Sequence, residues 1–384
     1  MEYHGSKSGS ESYTRGTGQY RFDLVKEQRV DGSCTNRKST DLVLRCTLQD
    51  FKRKYQVKIL SKQINYFMQT RFYSKDGYSI EDKPSVQMNS WFITGLSDGE
   101  SCFYIGIPKN SKSKYGWSVE LIFTVTLHKK DRDILEQIKN YFSAGYITKH
   151  GINTIQYRVK SIKDLELIIS HFEKYPLITQ KLGDYVLFKM VFDLIKAKEH
   201  LTKEGLNKIV GVKRCSNTAI NDKPLQEAFP NALAVARPIV VDKTVSNPFW
   251  FAGFSSAEAC FFVTIRPTSH QRTGYQVSLI FTLTQHNRDE WLMKSFVTYL
   301  GCGSIEKTSR GMVNFHVRRL SDNLTKIIPF FLQYPILGVK SQDFQDWCKV
   351  AYLMKDKKHL TWAGLKEIRR IKSLMNTKRG VVIK

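Results

Sequence analysis

Glu100 and Glu258 each close a short segment rich in small residues. ITGLSDGES (93–101) places Gly95 and Gly99 four apart, and FAGFSSAEA (251–259) places Gly253 and Ala257 four apart. Residues i and i+4 share one face of a helix, so small pairs there let two helix backbones approach closely. A carboxylate in the last turn faces the negative end of the helix dipole, at a cost of about 0.3–1 kcal/mol. If the two helices pack side by side, both carboxylates also meet at a pseudo-two-fold axis and repel. Divalent cations would remove both costs. Mg²⁺ takes one or two carboxylates together with phosphate oxygens, and two such ions beside a phosphodiester activate water and stabilise the leaving oxygen. Metal-dependent phosphodiester hydrolysis is the chemistry this pair could perform.

The elements that must position these acids follow from periodicity. Trp91–Glu100 reads as a short helix opened by Asn89 and Ser90 as caps, and Cys102–Ile107 as a strand. Lys109–Tyr115 is a polar turn. From Val119 the apolar residues alternate (Val119, Leu121, Phe123, Val125, Leu127) against Ser118, Glu120, Ile122, Thr124 and Thr126, a strand with one buried and one wet face. Asp131–Phe142 has helical spacing, Tyr146–Val159 reads as a hairpin turning near Gly151, and Leu165–Phe172 and Leu182–Ala197 are apolar-striped helices. The order is α-β-β-α-β-β-α-α.

The chain then repeats itself. WFITGLSDGESCFYIGI (91–107) returns as WFAGFSSAEACFFVTI (250–265), LIFTVTLHKKD (121–131) as LIFTLTQHNRD (279–289), and YFSAGYI (141–147) as YLGCGSI (299–305). YPLITQK (175–181) returns as YPILGVK (334–340), and HLTKEGLNKI (200–209) as HLTWAGLKEI (359–368). Five blocks in one order at a near-constant offset establish a tandem duplication. The expected organisation is an N-terminal extension at 1–88, loosely structured, with a Ser/Gly/Thr-rich lead-in at Gly5–Gly18. A first domain at 89–209, a Pro-bearing linker at 210–246 and a second domain at 247–384 follow.

Composition narrows the partner. The 384 residues carry 60 Lys+Arg against 35 Asp+Glu, a formal charge of +25, and 41% are hydrophobic. The chain can bury a core, and such an excess of positive charge favours a polyanion, nucleic acid by default. No apolar run nears the roughly 20 residues of a membrane-spanning helix, and Met1–Gln19 lacks the apolar stretch of a secretory signal. Seven cysteines without a C-x-x-C pair argue against a disulfide or zinc framework.

WFITGLSDGESCF and WFAGFSSAEACFF, with TLHKKD, HFEKYPLITQKLGDY, KEHLT, TQHNRD, YLGCGSI and LGVKSQDFQDWCKVA, carry a resemblance. Over Asn89–Met375 the chain resembles the single-chain, two-motif LAGLIDADG homing endonucleases encoded in fungal mitochondrial introns. The resemblance implies an α+β fold: two pseudo-symmetric αββαββα units forming a saddle-shaped antiparallel β surface, joined by the two packed signature helices. It implies Mg²⁺-dependent double-strand cleavage at a long asymmetric site with two or three divalent ions, double-stranded DNA as partner, a monomer, and a mitochondrial, organelle-encoded origin. The alternatives it leaves open are an intron maturase, with intron RNA as partner, and an inactive DNA-binding relic.

By the same resemblance Glu100 and Glu258 match the metal-binding acids, and the carbonyls of Gly99 and Ala257 match positions that also reach the metals. Lys181 and Lys340 match basic residues flanking the scissile phosphates. Gln285 matches a residue that orders water, with Leu127 as its counterpart in the first copy. The family usually has Gly after the acid, whereas Ser101 and Ala259 stand here. A left-handed conformation at either would cost roughly 1 kcal/mol or more and could shift the carboxylates.

A saddle on B-DNA places strand side chains in the major groove, where base edges are distinguishable. Counting two by two from the acids selects Tyr104, Glu120, Thr124, Thr148, Gln156, Arg158 and Lys160 in the first copy. The second supplies Thr264, Arg266, Gln276, Ser278, Thr282, Asn314, His316 and Arg318, with Phe262 and Glu306 alongside. These positions differ between copies while their buried alternates match, which predicts a non-palindromic site. Lys109–Lys114, Lys129/Lys130/Arg132 and Lys196–Lys203 are basic clusters suited to phosphates. His128, His286, His200 and His359 are expected to be structural.

Overall fold

The computed structural model describes residues 88–216, 223–241 and 243–376. The extension expected at 1–88 therefore lies outside the described residues, apart from Met88. The two central helices span Ser90–Glu100 and Pro248–Glu258. Each is opened by an asparagine outside the first turn: Asn89 accepts from the Trp91 amide and Asn247 from the Phe249 amide, both at 2.9 Å. Pro248 takes the first helical position, where its missing N–H costs nothing.

Each central helix runs directly into a four-stranded antiparallel sheet. In the first lobe the strands are β1 (Ser101–Gly106), β2 (Glu120–His128), β3 (Tyr146–Lys149) and β4 (Thr154–Val159), in the order β1-β2-β4-β3. In the second they are β5 (Ala259–Pro267), β6 (Tyr275–His286), β7 (Ser304–Lys307) and β8 (Met312–Val317), ordered β5-β6-β8-β7. The helix expected at Asp131–Phe142 is Arg132–Phe142, with Asp131 as its cap residue.

One face of each sheet is apolar and packs under helices. Phe103 lies 5.2–5.5 Å, centroid to centroid, from Phe123, Phe172, Tyr185 and Phe188. The matching ring in the second lobe, Phe261, sits 5.4 Å from Phe281 and Trp347 and 5.2 Å from Phe344. The duplication thus reproduces the core ring by ring. Helix Ile162–Lys174 of the first lobe is regular. Its counterpart is broken into Leu320–Asp322, a π segment Asn323–Ile327 and Ile328–Gln333, with Pro329, which lacks an N–H to donate, next to the break.

The described residues of the stretch read as a linker are packed. Residues 210–214 complete helix Lys203–Arg214, and Lys223–Ala228 forms another turn of helix. Leu225, Phe229 and Ala232 enter the first lobe's core, while Arg237 pairs with Asp184 at 2.5 Å. The segment that joins the two copies is thus held against the first lobe by these apolar residues. No helix among the described residues is long and apolar enough to cross a membrane.

Candidate active site

The central helices cross at their glycines. A Cβ added to Gly95 would lie 1.9 Å from the Trp250 carbonyl oxygen, and one added to Gly253 would lie 2.1 Å from that of Phe92. Only glycine tolerates such backbone-on-backbone contact. Four residues on, a Cβ at Gly99 would meet the Ala257 Cβ at 2.4 Å and Oε1 of Glu258 at 3.2 Å. The crossing therefore carries Glu100 and Glu258 to one end of the seam.

Their electrostatics agree with that placement. Burial raises the pKa of Glu100, and the neighbouring Glu258 raises it further; Lys181 and Lys340 oppose the shift. Burial likewise raises Glu258, against Lys340, Lys181 and a hydrogen bond from Gln285. Neither carboxylate forms an ion pair within 4.0 Å among the described residues.

The lysines approach from behind. Lys181 Nζ donates to the carbonyls of Ser97 at 3.0 Å and Gly99 at 2.8 Å. Lys340 Nζ donates to those of Ser255 at 3.4 Å and Ala257 at 2.7 Å. These are matching atoms of the two copies. Each ammonium thus satisfies a carbonyl that the helix end leaves open, Gly99 or Ala257, and shares one that already closes the last turn, Ser97 or Ser255. Burial lowers both lysine pKa values, while the acids of the site pull them back up. The structure therefore brings Glu100, Glu258, Lys181, Lys340, Gly99, Ala257 and Gln285 together, and Leu127 occupies the place opposite Gln285.

The strain expected at Ser101 and Ala259 does not arise. Ser101 has φ −90° and ψ 160°, and Ala259 has φ −76° and ψ 152°. Each is extended because the helix passes straight into β1 or β5, and each amide still closes the last turn onto Ser97 or Ser255. A left-handed residue is unnecessary where the chain continues as a strand.

Sequence reasoning missed Asp98. Buried on the first central helix, it accepts from the amides of Ile178 (3.1 Å) and Thr179 (3.2 Å), the Thr179 hydroxyl (2.6 Å) and Trp250 Nε1 of the other helix (2.8 Å). Burial pushes its pKa up to about 6, against the bonds from the Thr179 hydroxyl, the Ile178 amide and Trp250 and against the charge of Lys181. Ser256 stands at the matching position, so the recurrence of the motif held no signal for it.

The residues read as base-contacting share one sheet face in each lobe. Tyr104 opposes Ile122, Thr124 opposes Arg158, and Gln156 lies across from Thr148 and Thr126. In the second lobe Thr264 opposes Ser278, Arg266 opposes Gln276, Thr282 opposes His316, and Asn314 lies across from Thr284 and Glu306. The middle of this face is less wet than expected: Thr124, Gln156 and Thr282 are buried by their neighbours. Many of its polar groups are already paired. Glu120 pairs with Lys160 at 2.9 Å, and Glu306 with Arg318 at 2.8 Å and His316 at 3.1 Å. His128 and His286 are structural, each accepting an amide two residues on, from Lys130 and Arg288, at 3.2 Å. His200 and His359 each hold a buried Nδ1, and burial lowers the pKa of both.

Two repeated helices crossing at glycines, each delivering a glutamate into a seam below a four-stranded sheet, define a LAGLIDADG-type nuclease architecture. The chain belongs to the LAGLIDADG endonuclease family, whose model matches residues 93–192 and 251–351. It is 36% identical to the probable intron-encoded endonuclease 3 of Neurospora crassa over 361 residues, 90% of this chain and 66% of that protein. A protein of ND4 intron 1 in Podospora anserina is 43% identical over 192 residues, 47% of this chain and 41% of that protein. The chain spans about two thirds of the length of the Neurospora relatives it matches, 66% and 65%. Among solved structures it is similar to the I-SmaMI LAGLIDADG homing endonuclease bound to cleaved DNA: 46% identity, TM-score 0.74, covering 76% of this chain and 98% of that one. The same relative bound to an uncleaved DNA target in the presence of calcium ions gives 46% identity and a TM-score of 0.73, covering 75% of this chain and 99% of that one.

Proposed function

We propose that this chain is a monomeric homing endonuclease that hydrolyses both strands of a long asymmetric DNA site and so promotes intron mobility. The observation that carries the reading is the meeting of Glu100 and Glu258 at one seam, each backed by a lysine. Two carboxylates raised by burial, Glu100 also by its neighbour Glu258, and without an ion pair of their own, have the character of an incomplete cation site. Their hard oxygens, with the carbonyls of Gly99 and Ala257, suit Mg²⁺, in two or three ions completed by phosphate oxygens. Bound there, Mg²⁺ supplies charge neutralisation at the scissile phosphates and a more acidic water.

The chain's own residues do the rest. Glu100 and Glu258 orient the cleavage site from the two lobes, one for each strand. Lys181 and Lys340 hold positive charge beside the phosphates, where charge develops. Gln285 orders water on the Glu258 side. Tyr104, Glu120, Thr148, Arg158 and Lys160 read one half-site. Thr264, Arg266, Gln276, Ser278, Asn314, His316 and Arg318 read the other, while the buried Thr124, Gln156 and Thr282 support them from within the face. The intron-encoded relatives support a mitochondrial site of action.

Incubating the full chain with Mg²⁺ and a duplex bearing the intronless exon junction of its host gene tests this. The intact chain is expected to cut both strands, Glu100→Gln to leave one of them uncut, and the Glu100→Gln, Glu258→Gln double variant to cut neither. No Mg²⁺-dependent cut by the intact chain overturns the proposal, and acceleration of intron splicing in its place would establish an RNA partner instead.

A further inference from the structure

The helices that carry the two lysines, Lys181–Lys196 and Val339–Lys355, start without a side-chain cap of their own. Amides at a helix start need acceptors. In both lobes one acceptor comes from the opposite lobe. Asp131 Oδ1 of the first lobe accepts from the Val339 amide at 2.7 Å, and Asp289 Oδ1 of the second accepts from the Gln180 amide at 2.8 Å. These aspartates are equivalent residues of the repeat, the last of TLHKKD and TQHNRD, and each bonded amide lies one residue before a lysine. Asp131 also lies close enough to Glu100 and Lys340 to act on both electrostatically, as Asp289 does on Lys181. At Gly338, with φ +73°, a Cβ would fall 2.3 Å from Asp131 Oδ1, so glycine admits the carboxylate there. The equivalent Thr179 instead turns its hydroxyl to the Lys181 amide at 3.2 Å.

We propose that Asp131 and Asp289 are positioning residues that act across the seam: Asp131 sets the start of the Lys340 helix, and Asp289 that of the Lys181 helix. Each lysine is then aimed by the lobe that does not carry it. The two halves of the site are assembled jointly, and neither lysine is set by its own lobe alone. This inference rests on the hydrolytic reading of the site.

The test uses the full chain with Mg²⁺ and the intronless-junction duplex, its two strands carrying different fluorophores, with nicking of each strand followed under single turnover. Lys181→Ala and Lys340→Ala identify the strand that each lysine serves. Asp131→Ala is expected to slow the Lys340 strand about 10- to 100-fold while leaving the other within about threefold, since small displacements of a catalytic group carry losses of that size. Asp289→Ala is expected to do the same to the Lys181 strand. A merely structural defect would slow both strands alike. Val339→Pro is the second variant, because proline is accepted at the first helical position and removes only the N–H that Asp131 receives. It should skew nicking in the same direction as Asp131→Ala. Equal slowing of both strands by Asp131→Ala and Val339→Pro, or Asp131→Ala tracking Lys181→Ala, overturns the proposal. An intact chain that cuts neither strand overturns the hydrolytic reading instead; an intact chain that cuts both while the aspartates fail to sort overturns this inference alone.

Discussion

The two ends of the seam share a frame and differ in how it is adjusted. Lys181 and Lys340 grip equivalent carbonyls, and Gly95 and Gly253 cross at equivalent depth. The surroundings of the acids diverge. Glu258 receives a hydrogen bond from Gln285, whereas Leu127 stands at that place in the first lobe and packs on its core. Asp98 gathers four donors, whereas the equivalent Ser256 accepts from the Leu337 amide at 3.2 Å and donates to the Ala252 carbonyl at 2.9 Å. Placing the carboxylates is backbone work, done alike in both copies. Setting their charge is side-chain work, and there the copies are free to differ.

Neutralising either acid is the largest way to break the pairing. Glu100→Gln and Glu258→Gln are each expected to reduce double-strand cleavage by about 10³-fold or more, roughly 4 kcal/mol of barrier, with DNA binding retained in a mobility-shift assay. Stability should move the other way. Both folded pKa values lie above the ordinary glutamate value, so ionisation at neutral pH costs folding, and a neutral isostere removes that cost. In chelator at pH 7.5 each variant is expected to melt no lower than the intact chain; a clear fall would show that the carboxylates are not repelling.

Asp98→Ser copies the second lobe into the first. It leaves buried donors of Ile178, Thr179 and Trp250 without an acceptor, at about 1–3 kcal/mol each where unsatisfied. With the site partly collapsing, a loss of about 2–4 kcal/mol at pH 5 is expected from denaturant unfolding. The loss should shrink at pH 8. With a folded pKa of about 6, the folded chain holds this proton more tightly than the unfolded chain. The stability it contributes therefore falls as pH rises through that range. A loss that grows with pH would contradict the burial account.

Much of this was legible in the sequence because duplication repeats whatever the frame requires. Gly95 with Gly253, and Glu100 with Glu258, returned at matching places, and alternation along 119–127 assigned the sheet faces that the strand register bears out. What escaped is what the copies do not share or what long range supplies. Asp98 meets Trp250 across 152 residues, and Ser256 hid its importance. Asp131 and Asp289 did recur, yet recurrence could not show that each bonds the opposite lobe. Prolines in 210–246 suggested a connector, but Leu225, Phe229 and Ala232 carry enough apolar surface to hold the strap down. That Gln156 donates to the Thr126 hydroxyl at 2.9 Å and accepts from Arg158 at 3.2 Å, and that Arg318 pairs with Glu306, was likewise invisible, since alternation reports a face and not what fills it.

Gln285→Leu makes the second end of the seam resemble the first. The lost hydrogen bond had been lowering the Glu258 pKa, so that pKa is expected to rise further. A cation needs the deprotonated carboxylate, so the acid limb of the cleavage profile for one strand should move to higher pH while the other strand stays in place. At neutral pH the affected strand should slow by about 10-fold, the scale of one charge-associated hydrogen bond. Identical shifts for both strands would mean that the two acids titrate as one unit, and the asymmetry would then be structural without being functional.

The smallest effect belongs to the residues after the acids. Ala259→Gly and Ser101→Gly restore the residue usual in the family, and were a left-handed turn needed there, each would sharpen cleavage. Both positions are instead extended, in a region open to any residue, and both amides already complete their helices. Glycine gains nothing at such a site and adds freedom to the unfolded chain, so each variant should lose about 0.5–1 kcal/mol of stability. Ser101→Gly also removes the hydroxyl that donates to the Ser97 carbonyl at 2.7 Å, an oxygen Lys181 shares, so it should lose slightly more than Ala259→Gly. Cleavage is expected to stay within about threefold for both, a barrier change under about 1 kcal/mol. A larger gain in either variant would show that the helix-to-strand junction relaxes on DNA and that the carboxylates are not yet where hydrolysis needs them.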